Sequence, residues 1–260
     1  MVDISVIVPV YNMEGFLRET LDSIAAATPP LEAAGRSLEV VVIDDGSRDG
    51  SLRLAREYAA SHPSVRVLSQ PNRGLAAARN RAIAEARGRY LFPLDADDLL
   101  GPDFLVGAAE VLDRRPEVKV VSGQNEFFGD RTGAWRLPDF SLELLARRNL
   151  ICASALYRRS DWERAGGYCE QIVCYEDWDF WIAVLKDGGE VVRLPRPAIR
   201  YRIRGGSMRV RGRRFKREVV DTLNARHGDF FERVLCGPLR SHRTWSRPWN
   251  RLLRLLRFGR

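Results

Sequence analysis

Through the first hundred residues, short unbroken apolar runs alternate with segments whose apolar positions return every three to four residues. ISVIVPV (4–10), LEVVVID (38–44), VRVLS (65–69) and RYLFPLD (89–95) are each of strand length and nearly all apolar. That is how strands covered on both faces read. Between them, 15–27, about 51–60 and 72–88 carry helical spacing. Pro29-Pro30 is expected to end the first helix, and Gly88 to cap the Ala-rich third. This βαβαβαβ order predicts a Rossmann-like α/β fold, a mostly parallel sheet with helices on both faces. After Asp98 the pattern changes. A helix is predicted over 102–114, a strand over 118–123, no clean period over 124–160, a helix over 177–187 and a short strand between turns in 193–207.

The length of 260 residues suits one large α/β domain or a domain with an appendage, and 45% hydrophobic residues suffice for a core. No apolar run approaches the ~18 residues that a membrane-spanning helix needs. MVDISVIVPVYN reads as a first strand, not a signal peptide. Cys152, Cys169, Cys174 and Cys236 fit no zinc spacing and are expected to be thiols in a cytoplasmic, reducing setting. The net charge of +8 is uneven. From Arg200 onward there are 18 Lys+Arg and 4 Asp+Glu, so the body is mildly acidic and the tail strongly basic. A basic tail on an acidic body argues against nucleic acid and for docking to an anionic surface.

In an open parallel sheet, ligands bind beyond the carboxyl ends of the strands. Three polar clusters fall there: Tyr11-Asn12, Asp44-Asp45 and Asp95 to Asp98. Five carboxylates at one mouth are costly without a cation or a donor-rich ligand. Taken singly, Asp44-Asp45-Gly46-Ser47 is equally a plain turn, and Asp95 to Asp98 equally a cap for the 102–114 helix. Neither GxxxxGK[ST] nor GxGxxG is present, so phosphate would fall to a cation and to arginines such as Arg73 and Arg79. A second cluster, Tyr175-Glu176-Asp177-Trp178-Asp179, opens a predicted helix. Its carboxylates suit either the helix dipole or, desolvated by Trp178, Phe180 and Trp181, a general base. Those aromatics are either a buried stripe or a sugar platform.

SVIVPVYN, VVIDDGSRDGS, NRGLAAARNRAI, GRYLFPLDADD, AGGY and YEDWDFWI follow one another in an order and spacing that resembles family 2 glycosyltransferases, inverting enzymes of the A-type glycosyltransferase fold. The resemblance runs from about Ile4 to Ser207. It implies a catalytic domain over 1–207, with a nucleotide-binding half (1–100) and an acceptor-binding half (101–207), followed by a basic amphipathic extension (208–260). It implies a nucleotide-diphospho-sugar donor and a glycan or lipid-linked glycan acceptor. Pro9 and Tyr11 would lie at the base, Asp45 would read it with Asp44 in support, and Arg79 would lie near the diphosphate. Asp97 would ligate Mn²⁺ or Mg²⁺, with Asp95 as ribose or outer contact and Asp98 as a further metal candidate. Asp177 would be the general base, next to Glu176. A nucleotidyltransferase and a non-catalytic nucleotide-sugar-binding homologue of the same fold are the alternatives. The chain departs from the family where Tyr201-Arg202-Ile203-Arg204 stands for a Tyr-Arg-x-His segment. A guanidinium cannot ligate a metal, but it can pair with a diphosphate. Cys169 stands where an Asp is common, a local structural change. In the tail, Trp245, Trp249, Leu252, Leu253 and Leu256 form one stripe and Arg247, Arg251, Arg254 and Arg257 another. That pattern suits an interfacial helix peripheral to an anionic membrane, or a helix packed back on the body.

Overall fold

A computed structural model describes residues 2–205 and 215–258. The expected boundary at 207/208 lies outside the described residues. The first half follows the predicted order: β1 Ile4–Val10, α1 Leu17–Ala33, β2 Leu38–Asp44, α2 Ser51–Ser61, β3 Val65–Ser69, α3 Leu75–Glu85 and β4 Tyr90–Pro93. Then come β5 Leu99–Leu100, α4 Phe104–Arg114, β6 Val118–Gly123, β7 Glu126–Gly129, β8 Gly133–Ala134, α5 Leu142–Leu145, β9 Leu156–Arg158, α6 Arg159–Ala165, α7 Glu176–Leu185, β10 Glu190–Leu194 and β11 Ile199–Ile203. The C-terminal part holds α8 Lys216–Leu235, a 3-10 turn Arg243–Trp245 and α9 Ser246–Phe258.

The main sheet runs β10-β6-β9-β4-β1-β2-β3. β1 pairs in parallel with both β2 and β4, so the strand order reverses between β1 and β4. That reversal opens a crevice beyond their carboxyl ends. Successive strand residues face opposite sides and divide the core in two. Ile7, Val41 and Ile43 pack with α3, α7 and α8, while Val6, Val8, Val40 and Val42 pack with α1 and α4. β9 lies antiparallel between β4 and β6. A second sheet, β5-β11-β7-β8, begins directly after the Asp95–Asp98 turn.

Several expected boundaries shift. α1 runs through Pro29 and Pro30 to Ala33. Leu31, directly after the two prolines, is fully buried and ties this end of the helix to the core. The N–H groups of Ala34, Gly35 and Arg36 then close the last turn on the carbonyls of Pro30, Leu31 and Glu32. Gly88 caps nothing, because α3 already ends at Glu85. Gly88 instead packs against β1, where a Cβ would lie 2.5 Å from the Ser5 nitrogen. No disulfide joins the cysteines among the described residues.

α8 is not a loose appendage. Val219, Val220, Leu223, Phe230, Phe231 and Leu235 join the core beside Trp178 and Trp181. Buried Asp179 on α7 accepts from Arg226 Nε (2.8 Å) and pairs with His227 Nε2 (2.9 Å), where α8 bends.

Candidate active site

The carboxyl edge of the main sheet collects the residues singled out in the sequence. Pro9 is buried in β1 opposite Ile43, and Tyr11 beyond it leaves 43% of its surface exposed. Asp44 ends β2 and accepts at 3.3 Å from the Ser47 amide. Asp45 is more firmly engaged. It accepts from Gln70 Nε2 (2.8 Å) and from the amides of Arg73 (2.9 Å) and Gly74 (2.8 Å). These bonds fold residues 72–74 around the carboxylate, which is why α3 starts at Leu75 and not at 72. The turn also needs Gly46, whose φ is +73° and whose Cβ would stand 2.7 Å from the Asn72 nitrogen. Gly46→Ala is expected to destabilise the fold by ~1–3 kcal/mol, with weakened donor binding. Thermal unfolding and donor titration measure both effects.

Arg79 is the centre of the site. It lies on α3 almost fully buried, although an Ala-rich helix equally suits a surface arginine. Its Nη1 donates to Glu176 Oε1 at 2.5 Å and its Nη2 to Asp95 Oδ1 at 2.6 Å. Its guanidinium lies 5.5 Å from the Tyr168 ring. Burial opposes the charge, but the Asp95 and Glu176 carboxylates outweigh it and hold Arg79 well above the ordinary arginine range. Three segments distant in sequence thus meet at one cation. Arg73, the other phosphate candidate, is exposed and pairs with Glu170 (3.1 Å).

The three aspartates of the 95–98 turn have three different partners. Asp97 Oδ2 accepts from Arg204 Nε at 2.6 Å, and Asp98 Oδ1 from the Arg202 amide of β11 at 2.8 Å. Asp98 is buried, and burial together with Asp95 and Asp97 pushes its pKa well up. Asp97 is raised mainly by burial and then by Asp95, with Arg204 pulling it back. The helix-cap reading fails, since Asp103 precedes α4 and β5 intervenes. Asp97, the expected metal ligand, and Asp98, the further candidate, stand in this turn with Asp95. Among the described residues, no group of three His, Cys, Asp or Glu converges on one point. Asp98 latches the second sheet, and Asp95 and Asp97 each spend one oxygen on an arginine. Asp95 Oδ2 and Asp97 Oδ1 take no side-chain donor among the described residues. Two hard oxygens fit a divalent cation that takes its other ligands from a diphosphate and water.

Asp177 sits half-buried in the first turn of α7. Its Oδ2 accepts from Asn149 Nδ2 (2.7 Å) and its Oδ1 from the Trp178 amide (2.9 Å). Burial first, and the neighbouring Glu176 second, push its pKa up to about 7, against Arg79, Asn149 and the Trp178 amide. A carboxyl group placed there exchanges its proton near neutral pH. Trp178, Phe180 and Trp181 are fully buried, so they desolvate this end of the helix and are not a sugar platform. Asn149 escaped the sequence reading because it lies in the stretch without a period, and nothing local marks it.

This sheet, with a switch-point crevice that holds an Asp-x-Asp turn and a poised carboxylate, defines an A-type glycosyltransferase fold. The chain belongs to glycosyl transferase family 2, whose family model matches residues 5–173. Among curated relatives, the chondroitin synthase of Escherichia coli is 29% identical over 190 residues, 71% of this chain and 27% of that protein. The hyaluronan synthase of Pasteurella multocida is 28% identical over 189 residues, 71% of this chain and 19% of that protein. The chain therefore spans about a quarter or less of these relatives. Of solved structures, Staphylococcus aureus TarS 1-349 in complex with UDP-GlcNAc superposes with a TM-score of 0.70 at 21% identity, over 98% of this chain and 73% of that one. The mannosyltransferase PcManGT of Pyrobaculum calidifontis, in complex with GDP-Man and Mn²⁺, gives 0.68 at 22%, over 99% and 76%. At this identity the structures establish the fold.

Proposed function

We propose that the chain is an inverting glycosyltransferase that moves a sugar from a nucleotide-diphosphate sugar to a hydroxyl of a glycan or lipid-linked glycan. The observation that carries this reading is the link from base to donor site. Asp177 neighbours Glu176, Glu176 binds Arg79, and Arg79 binds Asp95. The acceptor-activating group and the donor end are thereby held in one rigid frame. The solved complexes of TarS with UDP-GlcNAc and of PcManGT with GDP-Man support the donor class.

Asp177 takes the proton of the acceptor hydroxyl, and Asn149 aims the carboxylate. The hydroxyl oxygen bonds to the anomeric carbon as the bond from that carbon to the phosphate oxygen breaks. The nucleoside diphosphate leaves with the electron pair, and one displacement inverts the configuration. A divalent cation held by Asp95 and Asp97 would supply charge neutralisation on that leaving group. Arg204 lies against Asp97 and adds a fixed positive charge at the same place. Tyr11 offers a ring at the base position, and Asp45 holds the turn beneath it.

The test is a thermal-shift screen of nucleotide-sugars with and without Mn²⁺, followed by assay of nucleoside diphosphate release with acceptor. One donor should raise the melting temperature by a few degrees and be turned over. Stabilisation without release would mean a binding homologue. Release of pyrophosphate from a sugar phosphate and a nucleoside triphosphate would mean a nucleotidyltransferase.

A further inference from the structure

The last helix is turned inside out relative to a packed surface helix. Such a helix normally buries its apolar stripe and exposes its charges. α9 packs by its polar side. Ser246 and Asn250 are buried, and Asn250 Nδ2 donates to the carbonyls of Leu235 (3.1 Å) and Pro238 (2.9 Å). Arg247 pairs with Glu143 of α5 at 2.8 Å, and Arg254 pairs with Glu232 of α8. The opposite face is left to solvent, with Leu255 73% exposed, Leu256 67%, Trp245 62% and Trp249 51%. Trp245, Trp249 and Leu252 line a shallow apolar groove there with His242 and Pro248. Among the described residues nothing covers this face.

We infer that α9 docks the protein on an anionic phospholipid bilayer, leucines in the acyl region and tryptophans at headgroup level. Charge decides between occupants. From Cys236 onward the chain carries seven Arg and no Asp or Glu. Arg247 and Arg254 are partly neutralised by Glu143 and Glu232, but Arg251 beside Leu252 is exposed, and a second copy would set this net positive segment against itself, since a two-fold interface joins like to like. An anionic lipid surface attracts it, and amphipathic tryptophans favour the headgroup zone.

The anchor is also oriented. Arg243 lies 5.2 Å over the ring of Trp178, the residue after the base, and Arg247 holds α5, just ahead of Asn149. The bilayer would therefore lie beside the acceptor half, as a lipid-linked acceptor needs.

The test uses the full chain and vesicles of phosphatidylcholine with equal phosphatidylglycerol, against phosphatidylcholine alone. The wild type should sediment with the anionic vesicles and be released by high salt. Leu255→Asp with Leu256→Asp should cut the bound fraction by about tenfold or more, with an unchanged melting temperature because both side chains face solvent. Brominated lipid should quench Trp245 and Trp249 in the wild type, and Trp245→Phe with Trp249→Phe should remove that component. A wild type that stays in the supernatant, a leucine variant that sediments as well as wild type, or tryptophans that brominated lipid leaves bright would each overturn the inference. So would a dimer that the leucine changes dissociate in the absence of any vesicle binding.

Discussion

Asp177→Asn is expected to lower the rate of sugar transfer by about 10²–10⁴-fold while leaving donor affinity near that of the wild type. The amide can still accept the hydrogen bond of Trp178 or Asn149, so the first turn of α7 keeps its shape and loses only the base. In the wild type, transfer should rise with pH through about 7, where burial and Glu176 have placed Asp177, and level off above it. The variant's residual activity should lack that inflection. Stability should move the other way. A carboxyl raised in the fold penalises the folded state increasingly as pH rises from its unfolded value near 4 through about 7. The Asn variant should therefore melt no lower than wild type above pH 7, and its advantage should vanish in acid. Single-turnover rates, donor titrations and melting curves across pH decide the matter. Near-wild-type transfer by the variant would remove Asp177 from the mechanism.

Arg79→Met should give the largest loss of stability. The substitution keeps volume but leaves Glu176 buried without its cation, and removing one partner of a buried pair costs ~3–5 kcal/mol. The half-exposed Asp95 adds less, since water screens it. The melting temperature should fall on the order of 10 °C. Adding Glu176→Gln should restore part of the loss, because the uncompensated charge is then gone. A single variant as stable as wild type would show that the Glu176–Arg79–Asp95 bridge does not hold α7 to the sheet edge. The double variant stays inactive on this reading, because the frame around Asp177 has lost its centre.

The legible part of the fold was the local part. ISVIVPV and LEVVVID became β1 and β2 to the residue, because unbroken apolar runs of that length have few other uses. The small second sheet was not legible. β5, β7 and β8 are two to four residues long, and the pairing of β5 with β11 joins Leu99–Leu100 to residues a hundred positions away. β9, three residues inserted antiparallel into a parallel sheet, carries no period either. Within the site, the Asp-x-Asp turn and the Glu-Asp pair stood out as charge against an apolar background. Their partners did not, since Asn149 and the backbone amide of Arg202 are ordinary until the fold brings them to Asp177 and Asp98.

Local apolar periodicity carried the strand-and-helix order of the first half, and the order of six motifs along the chain carried the family resemblance and the carboxylates at the crevice. How those carboxylates divide their work emerges only from long-range contacts in the folded chain. Asp95 goes to Arg79, Asp97 to Arg204 and Asp98 to the backbone of β11. The fold also decided that the apolar stripe of α9 faces outward. A helical wheel gives two faces and no direction. The direction was set by Ser246 and Asn250, which find buried partners on the body where leucines would leave the carbonyls of Leu235 and Pro238 unmet.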